Sequence, residues 1–130
     1  MKFFVVDDSD ALRQEFVRQL AELPHVTVVG EATCVADAVA GIAATLPDVV
    51  TLDIQLATGT GIEVLAAVRH VYPDMTIIVL TNYAQPQYRT RCLAAGADFF
   101  FDKSNEFEKA VALCGSLGLD SDSLIGPVVT

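Results

Sequence analysis

The sequence predicts an α/β fold built on a parallel sheet, and three observations carry that prediction. Short β-branched and aromatic runs alternate with longer stretches of helical periodicity, five times over, within about the first 117 residues. Three of the short runs, FFVV, VVTL and TIIVL, are apolar throughout rather than alternating, the pattern of strands buried on both faces. Proline and glycine fall at the joints between the two kinds of segment. Five such β-α units require right-handed crossovers and helices on both faces of the sheet.

Strands are expected near 2–7, 26–31, 48–53, 76–81 and 98–101, and helices at about 9–22, 34–46, 59–71, 86–95 and 104–117. The first strand runs straight into the acid pair Asp7-Asp8, and Ser9 is placed to cap the helix that follows. In that helix Leu12, Phe16 and Leu20 recur at spacing four with Val17 beside them, an apolar stripe. Pro24, Pro47 and Pro73 each follow a helix and stop it, and Gly96 closes the fourth. The third strand ends in a single acid, Asp53, and TGTG at 58–61 leads into the third helix. FFF at 99–101 reads as a core strand. One domain is therefore expected over 1–118, with 119–130, LDSDSLIGPVVT, as a flexible tail or the start of a linker because it has turn formers and no period.

Composition narrows the function. At 130 residues the chain suits one domain, and 52% hydrophobic against 19% charged residues is the balance of a globular protein. No apolar run approaches the roughly 20 residues that span a bilayer, and no secretory signal pattern opens the chain. Cys34, Cys92 and Cys114 are odd in number and lack metal spacing, which points to free thiols in a reducing cytoplasm. His25 and His70 match no metal spacing and are expected at the surface. A net charge of −9 with no basic cluster argues against direct nucleic-acid binding.

In open parallel sheets ligands bind beyond the carboxyl ends of the strands. The polar residues at those ends are Asp7 and Asp8 after the first strand, Asp53 after the third, Thr81 and Asn82 after the fourth and Lys103 after the fifth. The second strand offers nothing comparable, as an edge strand would. Three carboxylates on one rim repel one another, so a cation is expected, and hard oxygen ligands in an open cluster suit Mg²⁺ or Mn²⁺. A carboxylate in such company can accept a phosphoryl group as an acyl phosphate, with Lys103 and Thr81 on its oxygens. Taken singly each feature has an ordinary explanation: helix-capping acids, or an exposed Asp102-Lys103 ion pair worth under about 1 kcal/mol. Their joint order along the strands is what makes them a site.

The segments VVDDSDALRQEFVRQL, PDVVTLDIQLATGTGIEVLAAVR, IIVLTNYA and AAGADFFFDKS resemble the receiver domain of two-component response regulators, over residues 1 to about 117. The resemblance implies a doubly wound (βα)₅ flavodoxin-like fold with sheet order 2-1-3-4-5. It implies phosphoryl transfer from a sensor histidine kinase or histidine phosphotransfer protein, in the cytoplasm and with no turnover of external substrates. By position, Asp53 matches the phosphoacceptor, Asp7 and Asp8 the metal-binding acids, Gln55 a main-chain carbonyl ligand, Thr81 the switch hydroxyl, Lys103 the phosphate-contacting lysine and Phe100 the switch aromatic. The implied output is a population shift in which Thr81 moves towards the phosphoryl oxygens and Phe100 fills the space behind it. That shift would remodel the face of the fourth helix, fifth strand and fifth helix, towards a partner or a homodimer, for which the face of the first and fifth helices is the other candidate. GIEVL, LTNY and KS are similar to receivers that precede a helix-turn-helix DNA-binding domain, so a stand-alone receiver and a piece of a transcription regulator both fit. Gln55 and Tyr83 flank the acceptor and switch positions and are expected to tune phosphoryl lifetime.

The sequence also departs from the family pattern. Ala57 stands where a proline is common, Ser104 follows Lys103 where a proline often forms a cis bond, and Phe100 lacks a tyrosine hydroxyl. Haloacid-dehalogenase-type phosphatases share the Asp nucleophile but need a second acid two residues on, where this chain has Gln55. A receiver fold that only binds partners, without phosphorylation, is the remaining alternative. A phosphate loop at TGTG is disfavoured because it follows the third strand rather than the first.

Overall fold

The computed structural model describes the backbone of residues 1–125 and side chains through Leu119. The elements alternate strictly: β1 (Lys2–Val6), α1 (Asp10–Ala21), β2 (Thr27–Ala32), α2 (Val35–Thr45), β3 (Val49–Leu52), α3 (Gly61–Val71), β4 (Thr76–Thr81), α4 (Pro86–Ala94), β5 (Phe99–Asp102) and α5 (Phe107–Ile125). The five strands form one parallel sheet in the order β2-β1-β3-β4-β5. This is the doubly wound, flavodoxin-like (βα)₅ fold that the sequence predicts, with β2 at an edge.

The period-2 alternation of each strand splits the core into two layers. Phe4, Val6, Val50, Leu52, Ile77 and Val79 point to one face and pack with α2, α3 and α4. Phe3, Val5, Val49, Ile78 and Leu80 point to the other, against α1 and α5. β1 beyond Lys2, and β3 throughout, are buried on both faces, which explains their unbroken apolar sequence. Each large side chain removed from water in this way contributes about 1.5–3 kcal/mol.

Local signals set the joints. Ser9 caps α1, its hydroxyl accepting from the Leu12 amide at 3.3 Å. Thr60 does the same for α3, accepting from Glu63 at 3.3 Å. Gly96 follows α4 at φ +110°, a conformation an L side chain resists. His25 and His70 are exposed. Cys34, Cys92 and Cys114 are free thiols.

Three expectations are corrected. The α1 stripe is shorter than its spacing suggests: Phe16 and Leu20 are buried but Leu12, in the first turn, is 39% exposed. α5 begins at Phe107 rather than 104, since Asp102 ties a turn by accepting from the Ser104 amide at 2.9 Å and the Asn105 amide group at 2.9 Å. α5 then runs to Ile125, past the helix end expected at about 117. Ser, Asp and Leu are tolerated in a helix, and the first strong stop after Phe107 in the sequence is Gly126-Pro127; residues 126–130 lie outside the described residues. The TGTG loop is tethered at several points: Thr58 accepts from the Val35 amide at 3.3 Å, Thr33 from Ala57 at 2.9 Å, and Gln55 bridges to Thr60.

Candidate functional site

Three strand ends carry their ladders one residue further and so fix the rim. The Asp7 amide donates to Ala32 O at 3.0 Å, the Asp53 amide to Val6 O at 3.0 Å and the Lys103 amide to Thr81 O at 2.8 Å. The side chains of Asp7, Asp53, Thr81 and Lys103 thereby converge. Apart from Thr51, they are all the buried polar or charged residues among those described.

Asp53 sits at the centre with both oxygens engaged. Its Oδ1 accepts from the Thr81 hydroxyl at 2.8 Å and from the Gln55 amide at 3.3 Å. Its Oδ2 accepts from Lys103 Nζ at 2.7 Å. The same ammonium donates to Asp7 Oδ2 at 2.7 Å, so Lys103 bridges two carboxylates. Burial alone would lower the lysine pKa, but its hydrogen bonds to Asp53 and Asp7 outweigh that and raise it. Lys103 thus remains charged, and its partner is the acid pair rather than Asp102.

Gly61 makes room for this centre. A Cβ there would lie 2.0 Å from the Asp53 carbonyl oxygen, so any larger residue displaces the backbone of Asp53 itself. The Gly61 amide in turn donates to Ile54 O at 2.6 Å and locks the β3–α3 loop.

Asp8 is exposed beside the buried pair. One carboxylate oxygen each of Asp7, Asp8 and Asp53 lie within 4.8 Å of one another. Partial burial, then the charges of Asp53 and Asp7, push the Asp8 pKa up, a direct sign of crowded negative charge. Three carboxylates against one ammonium leave two negative charges, and every donor is a hard oxygen. The set fits a divalent cation such as Mg²⁺.

The remaining candidates divide. Gln55 and Tyr83 meet: the Tyr83 hydroxyl donates to Gln55 Oε1, while the Tyr83 amide donates to Thr81 Oγ1 at 3.1 Å. Asn82 does not approach Asp53; it accepts from the Ser104 hydroxyl at 2.9 Å. Phe100 is buried in the core beside Tyr88, and Arg89 lies 5.8 Å over its ring. No peptide bond among the described residues is cis, Lys103–Ser104 included.

Arg13 went unrecognised in the sequence. Its guanidinium donates to the Asp7 carbonyl oxygen at 2.9 Å while pairing with Asp10 at 2.7 Å and Glu31 at 2.9 Å, which braces the turn carrying both rim acids. Only the Asp10 pairing, three residues away on one helix, left a signal in the sequence.

Comparison with known proteins agrees with the geometry. A family model described as the response regulator receiver domain matches residues 3–114. The DNA-binding transcriptional activator DevR/DosR of Mycobacterium tuberculosis is 37% identical over 103 residues, covering 79% of this chain and 48% of that protein. Response regulator GacA of Pseudomonas aeruginosa is 32% identical over 111 residues, covering 85% of this chain and 52% of that one. The chain therefore spans about half the length of these relatives. Among solved structures, a LuxR-family DNA-binding response regulator from Staphylococcus aureus superposes with a TM-score of 0.81 at 25% identity, covering 90% of this chain and 98% of that one. The response regulator domain of Thermotoga maritima CheB shares the fold at a TM-score of 0.80 and 24% identity, covering 92% of this chain and 94% of that one.

Proposed function

This chain belongs to the response regulator receiver domain family, and from that membership we propose that it is a phosphorylation switch whose acceptor is Asp53. The observation that carries the proposal is the buried Asp53 carboxylate, with Thr81 on one oxygen and Lys103 on the other. A carboxylate oxygen of Asp53 attacks the phosphorus of a phosphohistidine on a sensor kinase or phosphotransfer protein. The P–N bond breaks, its electron pair leaves with the imidazole, and an acyl phosphate remains. Lys103 offsets the charge gathering on the phosphoryl oxygens, and Thr81 donates to one of them. Asp7, Asp8, Asp53 and the Gln55 carbonyl would hold Mg²⁺, or Mn²⁺ in its place. When bound, that ion supplies further charge neutralisation.

Phosphorylation then shifts the population of the switch residues. Thr81 on the acceptor side and Phe100 inward become the dominant state, which fixes the surface of α4, β5 and α5 for an output partner, an attached DNA-binding domain or a second copy. No acid stands two residues after Asp53 to activate water, so turnover of external substrates is not expected. The working compartment is the cytoplasm, where such kinases draw on ATP; no helix among the described residues is long and apolar enough to cross a membrane.

The test is intact mass after incubation with Mg²⁺ and acetyl phosphate. A gain of one phosphoryl group, absent in Asp53→Asn and lost with EDTA, is the expected result. An equal gain in Asp53→Asn would refute the assignment. No gain with acetyl phosphate or with a phosphorylated histidine phosphotransfer protein would favour a receiver fold that binds partners without phosphorylation.

A further inference from the structure

Acids are unevenly placed along this chain. Seventeen Asp and Glu residues against eight Lys and Arg set the charge at −9, yet no carboxylate occurs between Asp74 and Asp98. That acid-free stretch contains α4, which carries Arg89 and Arg91. The other arginines are engaged: Arg13 with Asp10 and Glu31, Arg18 with Glu15 and Glu22, Arg69 with Asp98. Lys103 is buried on the rim and Lys109 lies near Glu106. Arg89 and Arg91 are exposed and, among the described residues, form no ion pair; Arg89 reaches only the Phe100 ring and, at 3.4 Å, its carbonyl oxygen.

Beside Arg91 runs a groove of about 350 Å³ between α3 and α4, lined by Ile54, Gln55, Ile62, Tyr83, Tyr88 and Arg91 among others. Arg89 is turned away from it, onto Phe100 of β5. Tyr83 and Tyr88 meet edge to face at 5.9 Å and form an aromatic wall. Tyr83 itself is 38% exposed. An apolar slot with a guanidinium on its wall takes a ligand with both an apolar anchor and a carboxylate, because Arg offers a planar fork to a carboxylate. One arginine is too few to follow a nucleic-acid backbone on a chain of this net charge.

We propose that the α3–α4 groove, with Arg91 on its wall, is a docking surface for an acidic segment of a partner protein that inserts an apolar side chain against Tyr83 and Ile62. Its control by the switch rests on the reading of Asp53 as acceptor, since the wall residue Tyr83 donates its amide to the Thr81 hydroxyl. The docking chemistry itself does not depend on that reading.

A fluorescein-labelled peptide of alternating glutamate and leucine, with a lysine-leucine control, is titrated onto the full chain before and after acetyl phosphate treatment. The expected result is saturable binding of the acidic peptide only, weakened about tenfold by Arg91→Glu and by raised salt. Amide shift changes on the wild-type protein should centre on Ile62, Tyr83, Tyr88 and Arg91, which keeps the test independent of how the variant folds. Absence of binding, equal binding of the lysine peptide, or shifts on another face overturns the proposal. Self-association that occupies the same residues also overturns it, since the occupant is then a second copy. Intact mass separates the two readings: binding without phosphoryl gain from acetyl phosphate or from a phosphorylated histidine phosphotransfer protein defeats the switch and leaves the docking surface, and the reverse defeats the surface alone.

Discussion

Lys103 holds one positive charge between two buried carboxylates, and its removal leaves both without a cation. Lys103→Ala is therefore expected to lose about 3 kcal/mol of stability in EDTA. Mg²⁺ should restore much of that loss, because the orphaned acids are the residues proposed to hold the ion. Urea denaturation with and without Mg²⁺ measures this, and a variant equally unstable in both conditions would place the lysine outside the acid cluster's charge balance. Tyr83 acts on a different property. Its hydroxyl lies on Gln55, whose backbone amide donates to Asp53, so Tyr83→Ala should shorten the acyl phosphate lifetime, read as faster loss of phosphoryl mass; an unchanged decay rate contradicts it. Thr51 is a third case. Its buried hydroxyl has no hydrogen-bond partner among the described residues, and Thr51→Val should be neutral or stabilising by up to about 1 kcal/mol in the same denaturation experiment.

At the scale of elements, strand ends were the most legible feature of this chain. An apolar run buried on both faces must stop where the chain reaches water, so Asp7, Asp53, Thr81 and Lys103 could be placed on one rim before any coordinates. Contacts that close in three dimensions were not legible. Arg13 on the Asp7 carbonyl, Tyr83 on Gln55 and the near-contact of Gly61 with Asp53 depend on loop paths that no periodicity encodes. Leu12 was misjudged because spacing reports which side of a helix is apolar, not how much of that side is covered. The end of α5 was misjudged because Ser and Asp form turns as readily as they sit in an exposed helix. α5 also gives a pH prediction. Burial pushes the Cys114 thiol up to about 12 from an ordinary value of 9.0. Between those values the unfolded chain gives up a proton that the folded chain keeps, so stability falls as pH rises, by about 1.4 kcal/mol per unit above pH 9. Cys114→Ala should flatten that slope relative to the parent; an identical slope would contradict the assignment.

Across the whole molecule, charge and function divide by location. Acids gather at the strand ends and over most of the surface, while α4 carries none and sets Arg91 on the wall of an aromatic groove. The fold thereby joins an anionic rim, suited to a cation and a phosphoryl group, to an acid-free helix proposed to meet an acidic partner. Thr81 links the two, with its hydroxyl on Asp53 and the Tyr83 amide on its oxygen. The central claim is that the rim's chemistry takes place on Asp53. It is tested most directly by reducing the acetyl phosphate-treated protein with borohydride, which converts an acyl phosphate on aspartate to homoserine, and locating the product by peptide mass spectrometry. Homoserine at position 53 alone is the predicted result. Homoserine at Asp7 or Asp8 instead, or an unmodified Asp53 in protein that has gained phosphoryl mass, would contradict the account.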